Sequence, residues 1–341
     1  MLSATLGLLA LASTSLAHPG RDWQEQAKIK DATAECTYYD FEPLQQLIGS
    51  YPSIWDVADL QGSGITEDVK ALFAQLQPNI PKIAPRGTIN GDWTGVSYDN
   101  GADPDCWWTN TGCTTPKLEG LPVDITECNP ALSWGFTLDD GPNCTHNEYY
   151  DYLESINQKA TLFYIGSNVV DWPLEAQRGL ADGHEICAHT WSHNYMTALT
   201  DEQAFAELYY TKKAIKDVVG VTVQCWRPPF GDTDDRIRWI AEQLGMRTVI
   251  WSDDTDDWNW VNVGKATIEA NYKDIIATAP KRPQGTIVLS HEINAGTMEL
   301  SEEFLPQIQK TFTGGVMPVS RLAHFGRSVS LTSLACRSPS A

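Results

Sequence analysis

The sequence predicts an α/β fold whose parallel strands close toward a barrel, and three observations predict it. Short apolar runs near 132–138, 160–165, 184–188, 222–227, 246–252, 286–291 and 316–320 have the length and the bounding turn residues of strands. Helical patterns separate most of these runs, and repeated strand–helix alternation is the mark of a parallel sheet. Polar residues follow directly after five of them, at the carboxyl ends where barrels of this kind keep their chemistry. Seven strands favour closure, with an open sheet as the alternative.

Taken in order, the chain begins with MLSATLGLLALASTSLA, an apolar stretch too short to span a membrane comfortably. Ser15-Leu16-Ala17 fits a small-residue cleavage site, so residues 1–17 read as a secretory signal peptide although no Lys or Arg precedes the apolar core. Residues 18–130 form an N-terminal extension without sustained periodicity, rich in Pro, Gly, Asn and Asp. Its one convincing helix is 66-TEDVKALFAQLQ-77, which Thr66 is placed to cap. The pair Trp107-Trp108 reads as core, because Trp is mostly buried, with an exposed pair that stacks on sugar rings as the alternative. The α/β domain is expected at 131–325 and a tail at 326–341 that lacks the hydrophobic end of a lipid anchor.

Within the domain, Thr145 with Glu148 predicts a capping box ahead of 145-THNEYYDYLESINQ-158. Thr200 with Gln203 predicts another, for a helix that runs to about Val219 before Gly220. A third helix, 234-DDRIRWIAEQLG-245, ends on Gly245. No internal repeat or low-complexity tract interrupts the pattern.

The 341 residues carry a net charge of −20 with a pI near 4.6. Such a chain repels phosphate backbones, which argues against a nucleic-acid partner. A neutral substrate is compatible with it, and so is a cationic product. Eight cysteines without a C-x-x-C pair point to disulfides in an oxidising compartment, with Cys106–Cys113 a plausible local loop. The expected protein is secreted, lacks a transmembrane segment and is taken as a monomer. Asn143-Cys144-Thr145 is a formal glycosylation sequon that sits against the paired acids described next.

The stretch 136-FTLDDGPN-143 ends a buried-looking run in two adjacent carboxylates. Alone, Asp139 and Asp140 would merely open a turn. The run after the third strand, 189-HTWSH-193, spaces two imidazoles at i and i+4, so a helical turn would aim both at one metal ion. Two imidazoles and one carboxylate leave a fourth position on zinc for water. That water needs a base beside it, which gives the second carboxylate a purpose.

The segments TLDDGP, HTWSH, RPPFGD, DTDDW and LSH resemble, in order, the five motifs of the polysaccharide deacetylases, carbohydrate esterase family 4 with its NodB-type domain. The resemblance covers roughly 130–325 and looks closest to fungal chitin deacetylases in 160-ATLFYIGSNVVDWP-173 and 226-WRPPFGDTDDRIRWIA-241. It implies a distorted (β/α)7 barrel. It also implies a divalent metal, most often zinc with cobalt or another ion as substitute, held by Asp140, His189 and His193. Asp139 would be the general base, paired with Arg227, and His291 the general acid. Asp254 would contact His291, with Asp257 as second choice. Trp258 and Leu289 would wall a pocket for the acetyl methyl, and the Phe230 N–H would help hold the oxyanion. The implied reaction is removal of acetyl groups from chitin. Peptidoglycan and acetylxylan are alternative polymers, and a non-catalytic wall-glycan binder is the alternative in kind. Two positions depart from the family's habit: Leu138 stands where an aromatic residue is frequent, and Glu292 where Asp is frequent.

Overall fold

Ten strands share one sheet in the computed structural model, which describes residues 21–62 and 64–319 and the backbone of 335–337. The signal peptide 1–17 and most of the tail lie outside the described residues. The strands are β1 (Glu127–Asn129), β2 (Ser133–Gly141), β3 (Thr161–Tyr164), β4 (Glu185–Ala188), β5 (Cys225–Trp226), β6 (Arg247–Thr248), β7 (Asp253–Asp254), β8 (Gly285–Leu289), β9 (Gly315–Met317) and β10 (Ala335–Arg337). Each of the seven predicted runs supplies one strand. The apolar runs missed β1, β7 and β10, short strands of largely polar sequence that no continuous apolar run marks.

Strand β2 is the hub, parallel to β3, β8 and β9. Parallel strands covered on both faces read as continuous apolar runs rather than alternating ones, and all but one residue of β2 is buried. From β2 the sheet continues through β3, β4, β5 and β6. Ile125 then makes the return. Its N–H donates to the Thr248 carbonyl, its own carbonyl accepts from Ile250, and two residues later β1 pairs antiparallel with β8. The circuit is therefore a distorted barrel with an antiparallel seam.

Helices cover the outside. Asp201–Val219 starts with the predicted Thr200–Gln203 capping box and stops where Gly220 turns left-handed. Asp234 caps Asp235–Gln243 through the Ile237 N–H. The Thr145–Glu148 box does not form: the helix is Asn147–Ser155, with His146 at its N-cap position. Asn143 takes Thr145 instead, accepting from both its N–H (2.8 Å) and its hydroxyl (2.7 Å). A local Asx turn has outcompeted the helix cap. Thr66 occupies the N-cap of Glu67–Leu76 without a side-chain hydrogen bond.

The extension is packed into the barrel's own core. Leu44, Tyr51, Val69 and Phe73 belong to the same buried cluster as Trp191, Phe205 and Tyr210. Phe73 meets Phe205 at 5.3 Å between ring centroids, and Tyr51 stacks on Trp191 at 5.6 Å. Disulfides Cys36–Cys144, Cys106–Cys113 and Cys187–Cys225 are formed, the second as predicted. Trp107 is buried as expected, while Trp108 is half-buried against Trp251. A shared core unfolds as a unit. Phe73→Ala should lower the stability of extension and barrel together by about 3–5 kcal/mol, seen as one shifted transition in urea. Two separate transitions would count against a common core.

Candidate active site

Side chains alternate across a strand, so neighbours such as Asp139 and Asp140 should face opposite ways. The pairing of β2 with β3 breaks between Asp139 and Gly141, and Asp140 takes a left-handed φ of 71°. This bulge re-aims Asp140. As a result the Nε2 of His189 lies 3.3 Å from Asp140 Oδ1 and 3.8 Å from Asp139 Oδ2. The Nε2 of His193 reaches the same Asp140 oxygen at 3.0 Å. Gly141 must be glycine, since a Cβ there would fall 1.6 Å from a Glu292 carboxyl oxygen.

The two histidines converge by a different route from the helical turn expected. Residues 189–195 are irregular, with left-handed backbone at Thr190 and His193. Glu207, fully buried on the helix Asp201–Val219, holds this loop: it accepts from the N–H groups of Trp191 (2.7 Å) and Ser192 (2.8 Å) and from the Ser192 hydroxyl. The Thr190 hydroxyl accepts from the His193 N–H at 3.2 Å. His189 is oriented through Nδ1, 2.8 Å from the Arg227 carbonyl, which leaves Nε2 facing the acids. Asn168, after β3, donates to the Asp140 carbonyl at 2.7 Å. Glu207 and Asn168 were missed in the sequence because each lies outside the motif it supports. A polar residue on an apolar helix face was the only available signal for Glu207.

Arg227 is fully buried and donates from Nη1 to Asp139 Oδ1 at 2.7 Å and to the Thr137 hydroxyl at 2.9 Å. Its guanidinium lies over Phe163, 4.2 Å from the ring centroid. One oxygen of Asp139 is thus fixed by Arg227 while the other faces His189. Phe230, also left-handed, is half-exposed, stacks on Tyr195 at 4.2 Å and meets the His193 ring at 4.8 Å. Asp232 ties this loop down, accepting from Trp107 Nε1 and the Thr197 N–H.

His291 stands beside Asp139 because the β2–β8 pairing continues past β8: Asp139 N–H donates to Ser290 O, and Glu292 N–H to Asp139 O. The partner of His291 is Asp257 rather than Asp254. Asp257 Oδ1 lies 2.6 Å from Nδ1, and its Oδ2 accepts from the His291 N–H at 2.9 Å. Asp254 is spent in β7, in register with Leu289, and its carboxylate accepts from Asp256 N–H. A left-handed turn at Asp256 then swings Asp257 under the imidazole. Burial alone would make His291 harder to protonate. The charge and hydrogen bond of Asp257 prevail, with Asp140 and Asp139 adding to them, and raise its pKa to about 10. Burial likewise pushes Glu292, which accepts from Tyr150 at 2.9 Å, up to about 8. Trp258 is half-exposed beside Asp257, and Leu289 is buried at the end of β8.

Asp140, His189 and His193 place one ligand atom each within 4.8 Å of one another. The Asp140 Oδ1 on which both imidazoles converge is buried and accepts no hydrogen bond, an arrangement that suits a cation. Two imidazoles and a carboxylate match the donor set of a catalytic zinc site with an open position. Around it stand an oriented carboxylate, an imidazole whose pKa is raised, and exposed aromatics, a set of parts that suits hydrolysis of an acyl bond.

The chain matches the polysaccharide deacetylase family over residues 126–249. It is 49% identical over 301 residues to chitin deacetylase 2 of Cryptococcus neoformans var. grubii, covering 85% of this chain and 66% of that protein. It is 47% identical over 292 residues to the chitin deacetylase of Amylomyces rouxii, covering 83% of this chain and 69% of that one. The chain belongs to the polysaccharide deacetylase family. Among solved structures, the chitin deacetylase of Colletotrichum lindemuthianum shares the fold, with a TM-score of 0.53 at 21% identity over 57% of this chain and 89% of that one. The chain thus spans about two thirds of the two relatives' length. As a member of this family it is a hydrolase.

If His291 works in its protonated form, activity is present below its raised pKa and is lost as pH rises through it. Asp257→Asn removes the chief cause of the rise, so the alkaline limb of kcat/KM should move to lower pH and kcat fall on the order of 10²-fold. The pH–rate profile of the variant checks this. An unmoved limb would mean that His291 is not the acid.

Proposed function

We propose that the protein removes acetyl groups from N-acetylglucosamine residues of chitin or chito-oligosaccharides, giving chitosan and acetate. The observation that carries this reading is the pair Asp139–Asp140 at one imidazole: one carboxylate has both histidines, and the other has Arg227 on one oxygen and an open oxygen toward the site. The names of the most similar relatives support chitin as the polymer.

A divalent cation at Asp140, His189 and His193, zinc in the first place and cobalt as a substitute, would polarise the acetyl carbonyl and acidify water. Asp139 takes the proton of the attacking water on Oδ2, held in place by Arg227 on its other oxygen. His291, kept protonated by Asp257, gives its proton to the nitrogen as the C–N bond breaks, since an amide nitrogen leaves poorly without one. The Phe230 N–H helps hold the developing oxyanion. Leu289 and Trp258 wall the space for the acetyl methyl and exclude water from it. The disulfides support an oxidising destination, secreted or at the cell wall, and no helix among the described residues is long and apolar enough to cross a membrane.

The test is acetate release from chitin tetramer and pentamer, with protein stripped by chelator and then resupplied with zinc. Peptidoglycan and acetylxylan are run beside them. Release should vanish on stripping, return with zinc, and match the mass loss of the oligomer. Release only from peptidoglycan or acetylxylan would move the substrate. Silence on all three with zinc bound would leave a non-catalytic glycan binder.

A further inference from the structure

The N-terminal extension meets the metal-ligand loop densely through residues 51–58, and again at Ile89, whose carbonyl accepts from the Tyr195 N–H at 3.3 Å. Tyr51 stacks on Trp191, whose indole N–H donates to the Ser53 carbonyl at 2.9 Å. The Trp55 N–H donates to the Ser167 hydroxyl at 2.9 Å, and that hydroxyl donates to the Trp191 carbonyl at 2.6 Å. The Ala58 N–H donates at 2.9 Å to Glu207, the carboxylate that also shapes the loop between His189 and His193. Ser167 adjoins Asn168, which holds the Asp140 carbonyl.

What these anchors present is an indole in water. Trp55 is 49% exposed, and its neighbour Ile54 is 37% exposed. Trp55 also has a left-handed φ of 68°. A bulky residue in that region is a true outlier, strained in a way that persists only where the surroundings over-determine it. Packing does not account for it, since a core residue would hide its ring. The position does. In the sheet order β8-β2-β3-β4, Trp258 stands on the β8 side of the paired acids, and Trp55 is anchored on the β3–β4 side. By strand order, the segments that carry the two exposed tryptophans therefore flank the strand that bears Asp139 and Asp140.

We propose that Trp55 is a sugar-stacking residue. The extension contributes a subsite for an N-acetylglucosamine unit of the same chain, away from the unit being deacetylated, on the side of the metal-ligand loop. The indole face takes the apolar face of the sugar ring, as aromatic side chains with a polar handle do in wet binding sites. The subsite rests on the deacetylase reading above. It assigns substrate binding to a segment outside the residues 126–249 that match the family.

The experiment is steady-state kinetics of zinc-loaded wild type, Trp55→Ala, Trp55→Asn and Trp55→Tyr on chitin pentamer, with zinc content measured for each. Asn tolerates a left-handed backbone, so Trp55→Asn removes the ring without leaving the strain. For Trp55→Ala and Trp55→Asn, KM should rise about tenfold with kcat and zinc content unchanged, and Trp55→Tyr should restore most of the loss. An unchanged KM overturns the subsite. So does a fall of kcat and of zinc retention accompanying the rise of KM in both variants, which would give the loop a purely structural role. Wild type that releases no acetate at all would overturn the deacetylase reading, and the subsite with it, and is distinguished from these outcomes by that blank.

Discussion

Two adjacent side chains of a regular strand cannot serve one site, because the pleat sends them to opposite faces of the sheet. The bulge at the end of β2, with Asp140 in a left-handed conformation, removes that constraint at the one place where it matters. Everything proposed for the site depends on it. The two histidines need a common carboxylate, and the base must lie within reach of what that carboxylate binds. Bulges next to active sites commonly re-aim a side chain in this way. Here the strained residue is supported from outside, by Asn168 on its carbonyl and by the imidazoles on its carboxylate. Burial opposes the ionised form of Asp140, and the imidazoles more than offset it, so its carboxyl titrates well below the usual range.

Much of the site sits on loops, and its acids and imidazoles are held by partners behind them. Arg227 fixes Asp139 and, through its own carbonyl, orients His189. Asp257 grips His291 at both ring and backbone. Glu207 ties the histidine loop to the extension, and Asp232 ties the Phe230 loop to it through Trp107. These partners leave few groups free to reorganise during a reaction, which is what electrostatic stabilisation of a transition state requires. They also explain why the loop-rich extension shares a core with the barrel rather than hanging from it.

Much of this was legible in the sequence, for physical reasons that can be named. Buried parallel strands lie within continuous apolar runs, so seven strands stand out even where the paired part is only two or three residues, and the Thr200–Gln203 cap is visible because it is local. The strand-end positions of Asp139, Asp140, His189, His193, Arg227 and His291 were readable from order along the chain. What failed was register and turn geometry. Asp254 and Asp257 are equivalent in composition, and only the pairing of β7 with β8 and the turn at Asp256 decide between them. The spacing of His189 and His193 suggested a helix where the chain makes an irregular, left-handed loop. Thr145 was expected to cap a helix and serves Asn143 instead. Glu207, Asn168 and Trp55 act across long sequence separations, and nothing local marks such contacts.

Two neighbouring carboxylates divide the labour of the proposed site, and their amides separate the two roles. Zinc content after dialysis against metal-buffered solution, measured side by side for Asp139→Asn and Asp140→Asn, is the most direct measurement. The expected result is that Asp139→Asn keeps its zinc while turnover falls by on the order of 10²–10⁴, and that Asp140→Asn loses the metal. If Asp139→Asn sheds zinc as readily as Asp140→Asn, or if Asp140→Asn retains it, the two acids do not divide the work and the account is wrong.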